Sequence, residues 1–230
     1  MIFYDRLAGE DALELARRDA ERVFVGKEVG ACAWPQDKIS SLIVAEAKKG
    51  RRVVRLKSGD PAIFGRATEE LEAAQAAGIA IEIVPGVTAA SAAAAATTKS
   101  LTERGASDAV VLVTGQCKPG DPDPDWAHHM RAGTTIAVYM GARAAARISR
   151  SLLDAGAAPE TEVEIVQEAS TDRQRVVTTS IGSLATALAE AGIEGVATMI
   201  IRFPKTQRSA IKNAARPVSV GRRTLAVFGA

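Results

Sequence analysis

The sequence predicts an α/β protein of two consecutive units with a ligand cleft between them. Three observations predict it. Short apolar, β-branched runs alternate with longer segments of helical periodicity along most of the chain. Several of those runs end in glycine-containing turns, the place where open α/β sheets bind ligands. A Pro/Gly/Asp-rich run, Cys117-Lys118-Pro119-Gly120-Asp121-Pro122-Asp123-Pro124-Asp125, divides the pattern near its middle and reads as a linker turn.

The elements follow in order. Met1-Ile2-Phe3-Tyr4 is a short apolar stretch that puts Asp5 at a strand's end. Arg22 to Val25 is a second short strand, closed by Gly26. Ile39 to Lys49 carries Ile39, Leu42, Ile43 and Ala47 on one stripe, so it reads as a helix with Gly50 as its stop. Val53 to Leu56 is a buried strand that runs into Ser58-Gly59-Asp60-Pro61. Thr68 to Ala77 is a helix, and Glu69, Glu70 and Glu72 near its start suit the positive end of its dipole. Ile79 to Val84 has the composition of another strand, with Pro85-Gly86 as its turn. Thr88 to Thr98, nearly all alanine and serine, reads as a helix that can pack closely. Ala109 to Val113 is a strand ending at Thr114-Gly115 and completes a first unit over residues 1–116.

The second unit, residues 117–230, holds strands at Thr135 to Tyr139, Glu162 to Val166, Gln174 to Thr179 and Ala197 to Arg202. Helices are predicted over Ala142 to Leu153 and Leu184 to Ala191. Beyond Pro204 the pattern fades into a polar, basic tail.

Composition narrows the function. The chain has 230 residues, 47% hydrophobic and 24% charged, which are ordinary values for a soluble protein. No run approaches the roughly 18 apolar residues of a membrane span. Met1 to Arg6 meets charge at once, unlike a signal peptide, so a cytoplasmic protein is expected. A net charge of +2 and 4% aromatics offer neither a basic patch nor a stacking platform for nucleic acid. Cys32 and Cys117 make neither a disulfide framework nor a zinc site. His128 and His129 are sequence neighbours whose side chains diverge, and no metal is expected.

The wording of the turns carries more. Val53 to Arg66, a strand into Ser-Gly-Asp-Pro and then Phe-Gly-Arg, resembles the cofactor loop of the uroporphyrinogen-III C-methyltransferases. These are the S-adenosylmethionine-dependent branch of the tetrapyrrole methylases. Tyr4-Asp5-Arg6-Leu7, Val25-Gly26-Lys27, Val84 to Ser91, Leu101-Thr102-Glu103-Arg104, Val113-Thr114-Gly115 and Tyr139-Met140-Gly141 occur in that family's order. Ordered signatures are far more specific than any one alone. The chain most resembles the methylase module of siroheme synthase.

The resemblance implies two α/β domains holding S-adenosylmethionine in the cleft between them, in a homodimer. The implied reaction moves two methyl groups to carbons of uroporphyrinogen III. It gives precorrin-2, for siroheme or cobalamin, and leaves S-adenosylhomocysteine. Asp5 matches the family's proton acceptor and Lys27 its proton donor; a turn residue and a solvated lysine are the plainer readings. Arg55, Arg66 and Arg104 match arginines of the substrate cleft, whose forks suit a polycarboxylate. Arg55 and Lys57 lie two apart on one strand and share a face. Charge there is costly unless it lines a cleft or is paired. Ser58, Gly59, Asp60, Ile63, Thr88, Ala89, Met140 and Ala169 match the cofactor residues.

The chain also departs from the family's pattern. A first strand, a glycine- and proline-rich loop and a helix normally precede the Tyr-Asp-Arg-Leu motif. The fold is therefore expected to lack that strand and loop, and with them one wall of the cofactor site. Ser58 stands where a glycine is usual, which is tolerable only if φ is negative there. Ala67-Thr68 replaces a glycine pair, and Glu103 replaces a histidine, adding negative charge near a polyanion unless Arg104 compensates. Two further readings stay open: a divergent or truncated homologue with impaired catalysis, and a methylase of a later precorrin.

Overall fold

Strands of only three residues build the first sheet. The computed structural model describes residues 1–26, 34–118 and 120–205. Strands β1 (Ile2–Tyr4), β2 (Arg22–Phe24) and β3 (Val54–Leu56) form a three-stranded parallel sheet in the order β2-β1-β3. Parallel neighbours need a crossover. Helix α1 (Glu10–Glu14) lies between β1 and β2, and helix α2 (Gln36–Lys48) between β2 and β3. Helix α3 (Ala67–Ala76) follows β3 and packs on α2. The core here is small: Phe3, Val25 and Ile39 are buried, with partly buried neighbours such as Val23, Leu42 and Ile43. Helix α1, at 5 residues, is too short to show a helical period in the sequence.

The second sheet has five strands in the order β4-β5-β8-β6-β7. They are β4 (Ala109–Thr114), β5 (Thr134–Tyr139), β6 (Glu162–Gln167), β7 (Arg175–Ser180) and β8 (Ala197–Phe203). β4 and β5 run parallel; the other pairings are antiparallel. Strand alternation divides its side chains between two faces. Ile136, Val138, Val163, Ile165, Met199 and Ile201 enter the core with helices α5 (Ala145–Asp154) and α6 (Leu184–Glu190). Ala137, Tyr139, Val166 and Ile200 meet Ala90 and Ala93 of helix α4 (Ala89–Thr97) on the opposite face. The alanines of α4 let its backbone lie close to the strands. A sheet covered on both faces explains why β5 and β8 read as nearly unbroken apolar runs.

Two expectations change. Residues 117–125, read as a linker between units, connect β4 to β5 inside one sheet; the chain changes sheets between β3 and β4. Ile79 to Val84 joins no sheet among the described residues. Its Ile81, Ile83 and Val84 are 45%, 39% and 70% exposed. β-branched composition favours an extended chain, but a strand also requires a neighbour to pair with, and no described strand pairs with this run.

Candidate active site

A cavity of about 870 Å³ opens where the two sheets meet. It collects the segments that leave the carboxyl ends of β1, β3, β4 and β5, the start of α4, and the entry to the antiparallel β8. This is the end at which parallel strands present ligand sites, and the size suits a small-molecule ligand.

Seven of the predicted cofactor residues, Ser58, Gly59, Asp60, Ile63, Thr88, Ala89 and Met140, line this cavity. The loops that carry them interlock. Gly59 takes φ +70°, whereas Ser58 does not need the left-handed region, so a serine is tolerated there. A Cβ on Gly86 would come within 2.3 Å of the Gly59 carbonyl oxygen, so only glycine permits this approach. Asp60 ties the knot: its Oδ1 accepts from the Ala62 N–H at 2.8 Å and its Oδ2 from the Gly86 N–H at 3.1 Å. Its carboxylate is thus largely engaged in holding the two loops together.

Tyr139 connects this region to the second sheet. Its ring lies 4.9 Å from that of Phe64. Its hydroxyl accepts from the Ala90 N–H at 2.9 Å and stands 2.6 Å from Thr88 Oγ1. Tyr139 is only 8% exposed, so its hydroxyl needs partners, and the Ala90 N–H and Thr88 Oγ1 supply them, either hydroxyl of the Tyr139–Thr88 pair being able to donate.

Ala169 does not line the cavity. It packs with Ala93, Val166 and Ile200 behind α4, between Glu168 and Ser170, which hold φ of +46° and +66°. Met140, Phe64 and Arg66 are also left-handed, at +54°, +51° and +57°. Such a conformation costs a non-glycine residue about 1–2 kcal/mol, and it tends to persist where surrounding structure fixes a ligand site. Met140 is 45% exposed, so it faces the cavity and not the core.

The predicted catalytic and substrate residues sit on the first sheet's side. Asp5 Oδ1 accepts from the Leu7 N–H at 3.1 Å, and Oδ2 meets Arg55 Nη2 at 2.8 Å, while Arg6 and Leu7 line the cavity. Asp5 is thus both a turn residue and an ion-pair partner. Lys27 lies outside the described residues. Arg55 is largely buried and paired with Asp5 and Glu70. Arg66 is exposed and forked onto Glu69, whose carboxylate raises the guanidinium above its ordinary value. Arg104 stands on an exposed turn beside the Glu103–Ser107 bridge, outside the cavity lining.

Sequence reasoning missed other lining groups. Arg6, Lys118 and Arg143 line the cavity and form no ion pair among the described residues. Arg147 also lines it and is paired with Asp123 at 2.8 Å. Gly120 and Asp121, in the run read as a linker turn, lie on the same wall. Arg6 could have been found, since it follows Asp5 in its motif. Lys118 and Arg143 carry no such signal. The cavity fits S-adenosylmethionine in size, in its apolar Ile63, Ala89 and Val196, and in the Thr88 hydroxyl on its wall.

The profile of the Tetrapyrrole (Corrin/Porphyrin) Methylases matches residues 1–185. The chain is 44% identical over 208 residues to the siroheme synthase of Edwardsiella ictaluri; the match covers 89% of this chain and 45% of that protein. The chain thus spans less than half the length of that relative. Among solved structures, the uroporphyrin-III C-methyltransferase of Thermus thermophilus, complexed with S-adenosylhomocysteine, is 33% identical with a TM-score of 0.72. That match covers 87% of this chain and 84% of that one. A cobalt precorrin-4 methyltransferase aligns with a TM-score of 0.75 at 26% identity, covering 87% of this chain and 82% of the other. A family profile over most of the chain and a solved relative matched over most of its own length leave one conclusion: this chain belongs to the tetrapyrrole (corrin/porphyrin) methylase family.

Proposed function

We propose that the protein is an S-adenosylmethionine-dependent C-methyltransferase that converts uroporphyrinogen III to precorrin-2 by two methylations. The observation that carries this reading is the convergence of Ser58 to Ile63, Thr88-Ala89 and Met140 on one cavity that Arg6, next to Asp5, also lines. When bound, S-adenosylmethionine supplies an activated sulfonium methyl group. The interlocked Gly59 and Gly86 loops hold its cradle, and the Thr88 hydroxyl lies within the cavity wall as a hydrogen-bonding group for it. Arg6, Lys118 and Arg143 attract the carboxylates of the tetrapyrrole, with Arg66 and Arg104 as further cations toward the periphery. Asp5 takes the proton released after a pyrrole carbon is methylated, and general-base help of this kind is worth about 10²–10⁴-fold in rate. Lys27 is the proposed proton donor. The reading includes a cytoplasmic homodimer, and sedimentation equilibrium tests the assembly.

The test is an anaerobic incubation with S-adenosylmethionine and uroporphyrinogen III, read by mass spectrometry. A doubly methylated product is expected, and the Asp5→Ala protein should make at least about a hundredfold less per unit time. Folded protein that yields no product sinks the reading. The exposed Ile79 to Val84 run, outside both sheets among the described residues, favours a second one, a homologue that binds the cofactor without turnover. Calorimetry with S-adenosylhomocysteine separates the two: heat without product supports the second.

A further inference from the structure

One acid accounts for the charges that surround Asp5. Glu70, in the first turn of α3, is only 6% exposed. Its Oε1 accepts from Arg55 Nε at 3.3 Å and from Gln36 Nε2 at 3.1 Å. Its Oε2 pairs with Lys57 Nζ at 2.9 Å. Each cation then reaches onward. Arg55 Nη2 meets Asp5 Oδ2 at 2.8 Å, and Lys57 Nζ donates to the carbonyl of Gly65, which lines the cavity. The Lys57 side chain is itself 8% exposed. A carboxylate at this depth is unfavourable without partners, and here two cations and an amide supply them.

We propose that Glu70 is a positioning residue of the methyl-transfer site: it holds Arg55 on Asp5 and Lys57 on the Gly65 carbonyl, fixing base and cofactor loop together. This rests on reading Asp5 as the proton acceptor and residues 58–65 as cofactor-binding. The division of the Arg55 fork sets it apart from an ordinary structural pair. Nε goes to Glu70, Nη1 to the Leu56 carbonyl and Nη2 to Asp5, so Glu70 sets the direction from which Arg55 meets the base. The groups facing the two acids are Arg55 from β3, Lys57 just beyond its end, and the neutral Gln36 from α2; Arg6 lines the cavity beyond Asp5. Asp5 and Glu70 balance Arg55 and Lys57. Without the Glu70 charge, two buried cations face one acid. The excess positive charge stabilises ionised Asp5 and makes it a weaker base. Lys57, having lost its counter-ion, no longer anchors the loop.

The full chain carrying Glu70→Gln, Glu70→Asp or Lys57→Met is compared with the parent. The readouts are single-turnover methylation of uroporphyrinogen III across pH, and calorimetry with S-adenosylhomocysteine. Glu70→Gln is expected to slow methylation at least about tenfold and to move its acidic limb to lower pH. Glu70→Asp, which keeps the charge, should recover part of the rate. Lys57→Met should weaken S-adenosylhomocysteine about fivefold, the loss of a hydrogen-bonded charge, and, because it removes a cation where Glu70→Gln removes an acid, move the acidic limb the opposite way, to higher pH. Should Glu70→Gln fail to fold, the Glu70→Gln/Lys57→Met protein again sets one acid against one cation. It is expected to fold and to regain the parent pH profile. A Glu70→Gln protein that only melts earlier, with parental pH profile and cofactor affinity, overturns the proposal. Failure of the base reading shows separately, as turnover retained in Asp5→Asn, while the loop arm still reads out in calorimetry.

Discussion

The two sheets use the same residue types and end with different protection. In the five-stranded sheet Ile136, Val163, Ile165, Met199, Ile200 and Ile201 are all 0–1% exposed. In the three-stranded sheet only Phe3, on the central strand, is comparably buried, and Val54 on the edge strand is 44% exposed. The β-branched run at Ile79 to Val84 lies outside both sheets. A run of Ile and Val becomes a buried strand only where it has neighbours at its edges and helices on its faces. The cavity joins the two regimes. Its second-sheet wall is held by packing, through Tyr139 and α4. Its first-sheet wall is held by loop knots and the buried charges around Glu70.

The widest gap between the regions should appear in unfolding. Ile200→Ala removes atoms from a central strand packed on Ala93 and Val166, and a cost of about 3 kcal/mol is expected. Val54→Ala, on an exposed edge, should cost less than about 0.5 kcal/mol. Urea midpoints of the two proteins measure the difference. Equal losses would break the comparison.

A smaller effect tests whether charge also contributes in the well-packed region. Glu164 is 2% exposed and pairs with Lys99 at 2.8 Å and with Arg202. It joins the segment after α4 to β6 and β8. Glu164→Gln leaves both cations short of a partner. Because Lys99 is 46% exposed, the expected cost is about 2 kcal/mol, below that of breaking a fully buried pair. Burial alone would lower Lys99, but Glu162 and Glu164 outweigh it and hold the ammonium above its ordinary value. A raised lysine contributes fully below its unfolded value, near 10.4, and that contribution is lost as pH rises through the folded one. Stability of the parent should therefore fall more steeply in strong alkali than that of Glu164→Gln. Parallel alkaline curves would remove Glu164 from this role.

These contrasts also mark what the sequence could tell. The second sheet is legible because its central strands carry apolar, β-branched runs bounded by turns, and their packing on both faces agrees with local preference. The cofactor loop is legible because glycine at 59 and 86 answers a backbone demand that its motif records. The unpaired run at Ile79 to Val84 is not legible, since composition reports extension and is silent on whether a neighbour exists. Nor is the Glu70 cluster. Its members, Asp5, Gln36, Glu70 and the Arg55–Lys57 pair, come from four separate segments, and only the fold brings those segments together. The same holds for Lys118 and Arg143, which nothing in the sequence links to Arg6 until the cavity does.

Where the two walls meet, Tyr139→Phe sharpens the comparison further. It deletes the hydroxyl that caps the Ala90 N–H and engages Thr88 Oγ1. One neutral hydrogen-bonding group is worth about 1 kcal/mol, so S-adenosylhomocysteine should bind about fivefold more weakly while the ring packing on Phe64 stays. In a double-mutant cycle with Thr88→Val, the second substitution should add little once the first is made. Additive losses would mean that Tyr139 does not act through Thr88.

The smallest effect concerns the exposed run itself. Ile83 is 39% exposed and belongs to neither sheet of the described residues, so Ile83→Ser should change stability by no more than about 0.5 kcal/mol. Its consequence should lie in association. An extended apolar segment that no described strand pairs offers main-chain groups and branched side chains to any other strand, the situation that folded proteins usually cover or charge. Light scattering at rising protein concentration should show less self-association for Ile83→Ser than for the parent, with the urea midpoint unchanged. A destabilisation of more than about 1 kcal/mol would place Ile83 in a packed environment and erase the difference in protection between the two regions.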